Sequence, residues 1–208
     1  MSIKEMPYAP DSKEAMPLAH YRELFETLDP AEIAQRCQIP YDPATRQLTV
    51  TLLGKEYKVS HPDFVIEGEP TSPQEQILFL RYFVEGKLMP YTRFVTYREL
   101  PWGEVYIRQF TGRCITRLAF SWANRQQQFA KVMEALDAKP VPMGDCAYQL
   151  EFMPGLFIQM IVWAGDDEFP PNAQILLSDN FSFAFHTEDV AYVGDIALGR
   201  MKKLGATL

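Results

Sequence analysis

Apolar positions are densest in the run Leu156–Trp163, and the rest of the second half of the chain is organised around it. The run has one polar interruption, Gln159, and it has the length and β-branched content of a strand that is buried on both faces. We therefore predict a central strand here. The strand ends before Gly165, where three consecutive carboxylates and the pair Pro170-Pro171 form a turn that cannot extend a ladder.

Three elements are predicted after this turn. Ala173–Leu177 is expected to return antiparallel beside the central strand, and the alternating aromatic residues of Phe181–Phe185 predict a half-buried strand. A helix is predicted from Glu188 to about Lys203. Its start has Thr187 as a hydroxyl cap and two acids in the first turn, where the helix dipole favours negative charge.

The first half of the chain predicts helices around one hairpin. The expected elements are a helix over 16–28, a short helix from Pro30 to Cys37 capped by Asp29, strands at 48–53 and 56–59 with Gly54-Lys55 as the turn, and a short edge at 64–66. Ser72 and Glu75 form a capping-box pattern, and residues 77–84 behind them are apolar on almost every face. This helix should be deeply buried and should end at Gly86.

The middle of the chain predicts a strand at 94–97, a compact loop over 98–103 and two helices between 105 and 136, with Ser121 capping the second helix. A strand at 146–152 should join the central strand through a hairpin at Pro154-Gly155. Helices and antiparallel hairpins without regular βαβ alternation predict an α+β fold, a largely antiparallel β-sheet with helices packed against it. We expect residues 1–15 to form a flexible arm and residues 16–208 to form a single domain.

Composition and charge narrow the function classes. The 208 residues are 47% hydrophobic and carry a formal net charge of −7 with no Lys/Arg stripe, so neither nucleic acid nor an acidic membrane surface is an expected partner. No apolar run approaches the ~20 residues of a membrane helix, and residues 1–10 lack the pattern of a signal peptide. Cys37, Cys114 and Cys146 are odd in number and widely spaced, so we expect free thiols in a reducing, cytoplasmic location.

Candidate chemistry is concentrated in two acidic groups and one loop. Asp166, Asp167 and Glu168 could hold a hard cation together with Glu188 and Asp189, or could act as acid and base, but alternating ligands and a central glycine are absent. A solvated turn or an ion pair is the better interpretation. The scattered histidines, the absence of a Gly-x-Ser-x-Gly elbow and the absence of a glycine-rich phosphate loop exclude a recognisable nucleophile or nucleotide site.

The loop offers a planar cation beside an indole, because Arg98 and Trp102 flank Pro101. Such a pair could bind an anionic or flat ligand. The structural alternative is that Arg98 pairs with an acid of the same fold while Trp102 plugs the end of the core. The candidate ligand-binding residues are Arg98, Trp102, Asp166, Glu168, His186 and Glu188, and we assign no catalytic residue, no metal ligand and no cofactor.

We further expect these segments to meet. The acidic turn at 166–168 and the acids Glu188 and Asp189 are separated by one short strand, which should carry the chain back across the sheet. Because clustered acids repel each other, Arg98 should lie among them and pair with one of them.

Two segments resemble a known family: Tyr97–Tyr106, with the sequence YRELPWGEVY, and Gly165–Pro171, with the sequence GDDEFPP, followed by Thr187-Glu188-Asp189. They are similar to the family catalogued as domain of unknown function 3786, over roughly residues 21–199. The resemblance implies an origin in anaerobic bacteria or archaea, where some members carry an additional iron–sulfur domain associated with corrinoid and one-carbon metabolism. This chain has no such cysteine cluster, and it has His186 where the family often has proline.

Three function classes follow. The preferred one is a small-molecule-binding or accessory module of anaerobic metabolism, with a concave site lined by the Arg98–Trp102 loop and the 165–171 turn. The first alternative is an enzyme that uses Asp166, Asp167 and Glu168 with Glu188, which would require convergent acids with perturbed pKa values. The second is an interaction domain with a protein partner, which would present a flat apolar patch on a strand edge or on the last helix. The sequence carries no signal for an oligomeric state.

Overall fold

Local capping and hairpin signals account for most of the elements in the computed structural model, which describes residues 12–68 and 71–208. The helices are α1 (Ser12–Thr27), α2 (Pro30–Cys37), α3 (Pro73–Val84), α4 (Gly103–Phe110), α5 (Thr116–Trp122), α6 (Gln126–Glu134), α7 (Phe181–Ala184) and α8 (Thr187–Gly205). The strands are β1 (Tyr41–Asp42), β2 (Gln47–Leu52), β3 (Lys55–Ser60), β4 (Ile66–Glu67), β5 (Phe94–Thr96), β6 (Lys139–Pro140), β7 (Cys146–Met153), β8 (Leu156–Trp163) and β9 (Asn172–Ser178). The predicted α+β class is confirmed.

Helix α1 begins at Ser12, four residues before its predicted start. The remainder of the predicted flexible arm, residues 1–11, lies outside the described residues.

The first sheet forms around the β2–β3 hairpin and has the order β1-β2-β3-β4, with every pair antiparallel. Its turn is Leu53-Gly54, one residue earlier than predicted, because Lys55 already pairs with Leu52. Both turn residues have positive φ, 49° and 76°, as a type I′ hairpin requires.

The second sheet has the order β5-β9-β8-β7-β6 and is also antiparallel throughout. Strand β8 is its middle strand and is buried along most of its length, so the predicted central strand is confirmed. The predicted antiparallel pairing is confirmed, and the hairpins of the two halves form two separate sheets. The sheets meet where the Leu53 N–H donates to the Phe152 carbonyl at 2.8 Å.

Helix α3 is the core helix that its sequence predicts. Ser72 caps it by accepting from the Glu75 N–H at 3.2 Å, and the Glu75 carboxylate accepts from the Ser72 N–H at 2.7 Å. Leu80 in its middle is fully buried. The helix packs against α1, α2 and α8, and so it connects the N-terminal helices to the C-terminal one.

The chain is almost continuously helical from α4 to α6, and the predicted cap at Ser121 is wrong. Ser121 lies inside α5, where the Ala123 N–H still donates to the Ala119 carbonyl. The direction changes instead at Arg125, whose φ of −127° and ψ of 44° are not helical. A π-helical turn, Thr111–Ile115, joins α4 to α5.

The segment Phe181–Phe185 is not a strand. It forms the single-turn helix α7, because the Asn180 carbonyl accepts from the N–H groups of Phe183 and Ala184 at 3.0 and 3.3 Å. The Asn180 amide anchors this turn by donating to the carbonyls of Met89 and Gly155 at 2.7 and 2.9 Å. The chain therefore does not cross the sheet again between β9 and α8.

Candidate ligand site at the start of helix α8

The start of α8 is held against the loop that follows β5. The Tyr97 hydroxyl donates to the Thr187 carbonyl at 2.7 Å, and the Thr187 hydroxyl donates to the Pro101 carbonyl. Tyr97 is itself fixed by stacking on Phe110, with ring centroids 4.1 Å apart. Burial raises the pKa of Tyr97, so the phenol keeps its proton for the hydrogen bond. These contacts give the loop and the helix one relative position.

The predicted capping role of Thr187 is wrong. His186 occupies the cap position of α8, and its side chain makes no capping hydrogen bond. The Thr187 hydroxyl bonds to the loop instead of to the helix.

Trp102 sits at a strained position of this loop. The Gly103 N–H donates to the Leu100 carbonyl at 2.8 Å, and Pro101 and Trp102 are the two central residues of the resulting turn. Trp102 has φ 64° and ψ 11°, which matches the third position of a type II turn, a place that glycine usually takes. Its side chain is 79% exposed, so the expectation that it plugs the core is wrong. Leu100 of the same loop is buried instead.

An open cleft of about 410 Å³ separates the Trp102 loop from α7 and α8. It is lined by Pro101, Trp102, Val105, Tyr106, Ser182, Phe185, His186, Thr187 and Glu188. The loop and α4 contribute an apolar wall, whereas α7 and the start of α8 contribute mostly polar groups, so polar and apolar surface are about equal. Polar groups at fixed positions can orient a small-molecule ligand.

A buried ion pair lies behind the cleft. Arg81 of α3 donates to Asp189, whose side chain is 2% exposed. Arg81 also lies over the Tyr21 ring, 5.1 Å from its centroid. Burial raises the pKa of Asp189 and Arg81 opposes that rise. Since a buried charge is tolerated only when it is paired, Arg81 and Asp189 fix α3 and α8 to each other.

A second polar group, on the solvent side of this pair, consists of Glu85, His186 and Tyr21. The His186 Nε2 lies 2.8 Å from one Glu85 carboxylate oxygen, and the Tyr21 hydroxyl donates to the other oxygen at 3.1 Å. Because the carboxylate accepts, Nε2 carries a proton, and Nδ1 is the ring nitrogen left for a ligand. The arrangement can therefore hold an imidazole in one orientation at the rim of the cleft.

The structure brings three of the six predicted ligand-binding residues together, since Trp102, His186 and Glu188 all line the cleft. Arg98 is not among the lining residues, and its ion pair in the described chain is with Glu104, at 3.4 Å. Arg98 therefore pairs with an acid that belongs to neither cluster, and the prediction that it pairs with an acid of the two clusters is wrong.

Asp166 and Glu168 lie elsewhere. The turn that contains them joins Trp163 to Asn172 at one end of β9, and α8 starts beyond the other end, about 20 Å away along a seven-residue strand. The prediction that the two acidic groups meet is wrong because it needed 181–185 to carry the chain back across the sheet. Asp166 accepts from the N–H groups of Glu168 and Phe169 at 2.9 and 2.7 Å, and these bonds lower the pKa of its carboxyl.

The sequence pattern does not mark Arg81 and Glu85 as site residues. A signal for Arg81 exists, because it is the one cation among the apolar residues 77–84, and a buried arginine requires a partner. Its partner, 108 residues further along the chain, could not be chosen from the sequence. In the part of the chain that the structure describes, no three His, Cys, Asp or Glu side chains are grouped so that they could hold a metal ion.

Strand edges give little support to partner binding by strand addition. The edge strands of both sheets, β1, β4, β5 and β6, have two or three residues each, and β6 includes Pro140. Short edges and proline are features that prevent edge pairing.

Comparisons with known proteins identify a family. The model of the family described as "Domain of unknown function (DUF3786)" matches residues 29–200. No curated protein and no solved structure matches the chain. Within residues 12–68 and 71–208, none of the helices combines the length and the apolar character needed to cross a bilayer.

Proposed function

The chain belongs to the DUF3786 family, and we propose that it is a small-molecule-binding module whose ligand occupies the cleft at the start of α8. The observation that carries the proposal is the indole of Trp102, exposed on a backbone that disfavours it. A bulky L-residue in the left-handed region costs about 1–2 kcal/mol, and a glycine would form the same turn without that cost. With 79% of its surface exposed, the side chain recovers little of this by packing. Contact with a ligand is a physical reason to keep it there.

The rigidity of the cleft also supports binding. Tyr97 and Thr187 hold its two walls together by hydrogen bonds, and the Arg81–Asp189 pair fixes α8 to the core helix. A preformed site loses less conformational entropy when the ligand binds. An accessory role in anaerobic metabolism and a cytoplasmic location belong to the same proposal, and they rest on the family resemblance and on the composition.

The test uses the indole N–H signals of ¹⁵N-labelled protein. The chain has three tryptophans, of which Trp122 is buried and Trp163 lies at the end of β8 beside the 165–171 turn. Three flat probes of similar shape but different charge are titrated: benzoate, benzamide and benzamidinium. Assignment comes from the Trp102→Phe and Trp163→Phe variants.

We expect at least one probe to shift the Trp102 signal in a saturable way while the signals of Trp122 and Trp163 stay in place. Trp163 is the matched control, because it is also solvent-accessible but lies beside the start of β9, whereas the cleft lies beyond the other end of that strand. If Trp102 does not respond to any of the three probes, or if Trp163 responds equally, the cleft is not a specific site and the proposal is overturned.

A further inference from the structure

The charges around the start of α8 do not cancel. Four side chains that line the cleft and the two smaller cavities beside it carry fixed charge: Arg81, Glu85, Glu188 and Asp189. Arg81 and Asp189 pair with each other, which leaves two carboxylates. The Glu85 carboxylate accepts hydrogen bonds from His186 and Tyr21, whereas Glu188 has no ion pair within the described part of the chain.

Within the part of the chain that the structure describes, neighbouring groups leave this net charge negative. Arg98, four residues before Trp102, does not line the cleft and forms an ion pair with Glu104 at 3.4 Å. The N-terminus of α8 contributes about half a positive charge, which is less than the full charge of Glu188 in its first turn. With a proton added to His186 and the helix terminus included, the group would still carry about half a negative charge.

The exposed Trp102 indole and the Glu188 carboxylate, which has no ion pair among the described residues, line one cleft and both favour a cation. The indole face attracts cations through its quadrupole, and it does so more strongly than any other aromatic side chain. The carboxylate attracts them directly. Both groups would repel an anionic ligand.

From these observations we infer that the ligand of the cleft is an organic cation, held between the Trp102 indole and the Glu188 carboxylate. The inference rests on the proposed function and gives it a ligand class: flat or compact molecules that carry an amidinium, a pyridinium or a substituted ammonium group. Size is limited by the cleft, whose volume of about 410 Å³ falls within the range of small-molecule sites.

The experiment compares affinities rather than the presence of binding. Benzamidinium, benzamide and benzoate are titrated against the wild-type chain, Glu188→Gln and Glu168→Gln, with the Trp102 indole signal as readout. Glu168→Gln is the matched control, because it makes the same change in net charge at the far end of β9. Glu188 is exposed, so its replacement should not disturb folding.

We expect benzamidinium to bind at least tenfold more tightly than benzamide, and benzoate to bind most weakly. Glu188→Gln should weaken benzamidinium about tenfold and change benzamide less than twofold, whereas Glu168→Gln should change neither by more than twofold. Raising the salt concentration should weaken only the cation.

Two results overturn the inference while leaving the proposed function intact: equal affinity for benzamide and benzamidinium at Trp102, or an unchanged benzamidinium affinity in Glu188→Gln. If no probe moves the Trp102 signal, both the proposed function and the inference fail.

Discussion

Replacing Gly194 by alanine should destabilise the fold, whereas the same replacement at Gly199, five residues later in helix α8, should stabilise it. Gly194 lies where α8 crosses the π-helical turn, and a Cβ there would come within 2.5 Å of the Cys114 sulfur and 3.4 Å of the Phe110 ring. A Cβ at Gly199 would meet nothing within 4 Å. The pair therefore tests whether the close approach of α8 to the π-helical turn sets the position of the helix.

The expected magnitude is the difference in the free energy of unfolding between the two variants, because the change in helix propensity is the same in both and cancels. Alanine is favoured over glycine by about 0.8–1.0 kcal/mol inside a helix, and both variants receive this gain. Only Gly194→Ala must also displace a buried thiol, and overpacking of this kind costs about 1–3 kcal/mol. Gly199→Ala should thus raise the free energy of unfolding by up to about 1 kcal/mol, and the two variants should differ by about 1–3 kcal/mol.

Urea denaturation followed by circular dichroism measures both values. Adding Cys114→Ala to Gly194→Ala should restore part of the loss, which would appear as non-additivity of at least about 0.5 kcal/mol in a double-mutant cycle. If the two glycine variants differ by less than about 0.5 kcal/mol, α8 does not need the gap at Gly194 and the packing described for it is wrong.

The remaining predictions concern the core, the thiols and the buried carboxyl. Leu80→Ala should lower the free energy of unfolding by about 2–5 kcal/mol, and a loss below about 0.5 kcal/mol would place Leu80 outside the core. All three cysteines are free thiols, and burial raises the pKa of Cys37 and Cys114 to about 12. In the native protein iodoacetamide should therefore modify only Cys146. In denaturant without reductant it should modify all three cysteines. Mass spectrometry that finds fewer than three modified sites in denaturant would indicate a disulfide. Because the pKa of Asp189 is raised in the folded state, the folded protein keeps this proton to a higher pH than the unfolded chain does. The stability that the group contributes should therefore be lost as the pH rises through its folded pKa. The unfolding free energy of the wild type minus that of Asp189→Asn should therefore fall as the pH rises above about 4, the ordinary pKa of an aspartate, and a rise would mean that Arg81 outweighs burial.

Elements that depend on neighbouring residues could be predicted from the sequence. The central strand β8, the capping box of α3 and the hairpin at Pro154-Gly155 are specified by residues at most a few positions apart, and the structure contains all three. Their boundaries shift only where a turn type decides the register, as it does at Leu53-Gly54.

The segment 181–185 shows where local pattern is insufficient. Alternating Phe, Ser, Phe, Ala and Phe favour a strand, yet Phe181 and Phe185 are also four residues apart and share one face of a helical turn. The buried hydrogen bonds of Asn180 to Met89 and Gly155 decide between the two, and both partners are distant in the sequence.

The same limit applies to the candidate site. Trp102, His186 and Glu188 could be identified as chemically unusual residues, and they line one cleft. The acids near these residues depend on the end of β9 at which α8 begins. The conformation of 181–185, which joins β9 to α8, determines that end. A strand at 181–185 would have returned the chain to the end of the sheet where Asp166 and Glu168 lie. In the structure 181–185 is helical, and Asp166 and Glu168 form a solvated turn away from the cleft.

The central claim, that Trp102 is kept on a strained backbone for contact with a ligand, is tested most directly by measuring stability and binding in Trp102→Gly. Asp137→Gly is the matched control, since Asp137 is also an exposed residue with positive φ, 55°, but lies after α6. Relief of the left-handed backbone, about 1–2 kcal/mol, minus the entropy that glycine loses on folding, about 0.5–1 kcal/mol, predicts that Trp102→Gly is at least as stable as the wild type. Its Glu188 amide signal should no longer shift with benzamidinium, whereas Asp137→Gly should bind as the wild type does. A Trp102→Gly variant that unfolds more easily than the wild type, or that still binds benzamidinium with unchanged affinity, would contradict the account.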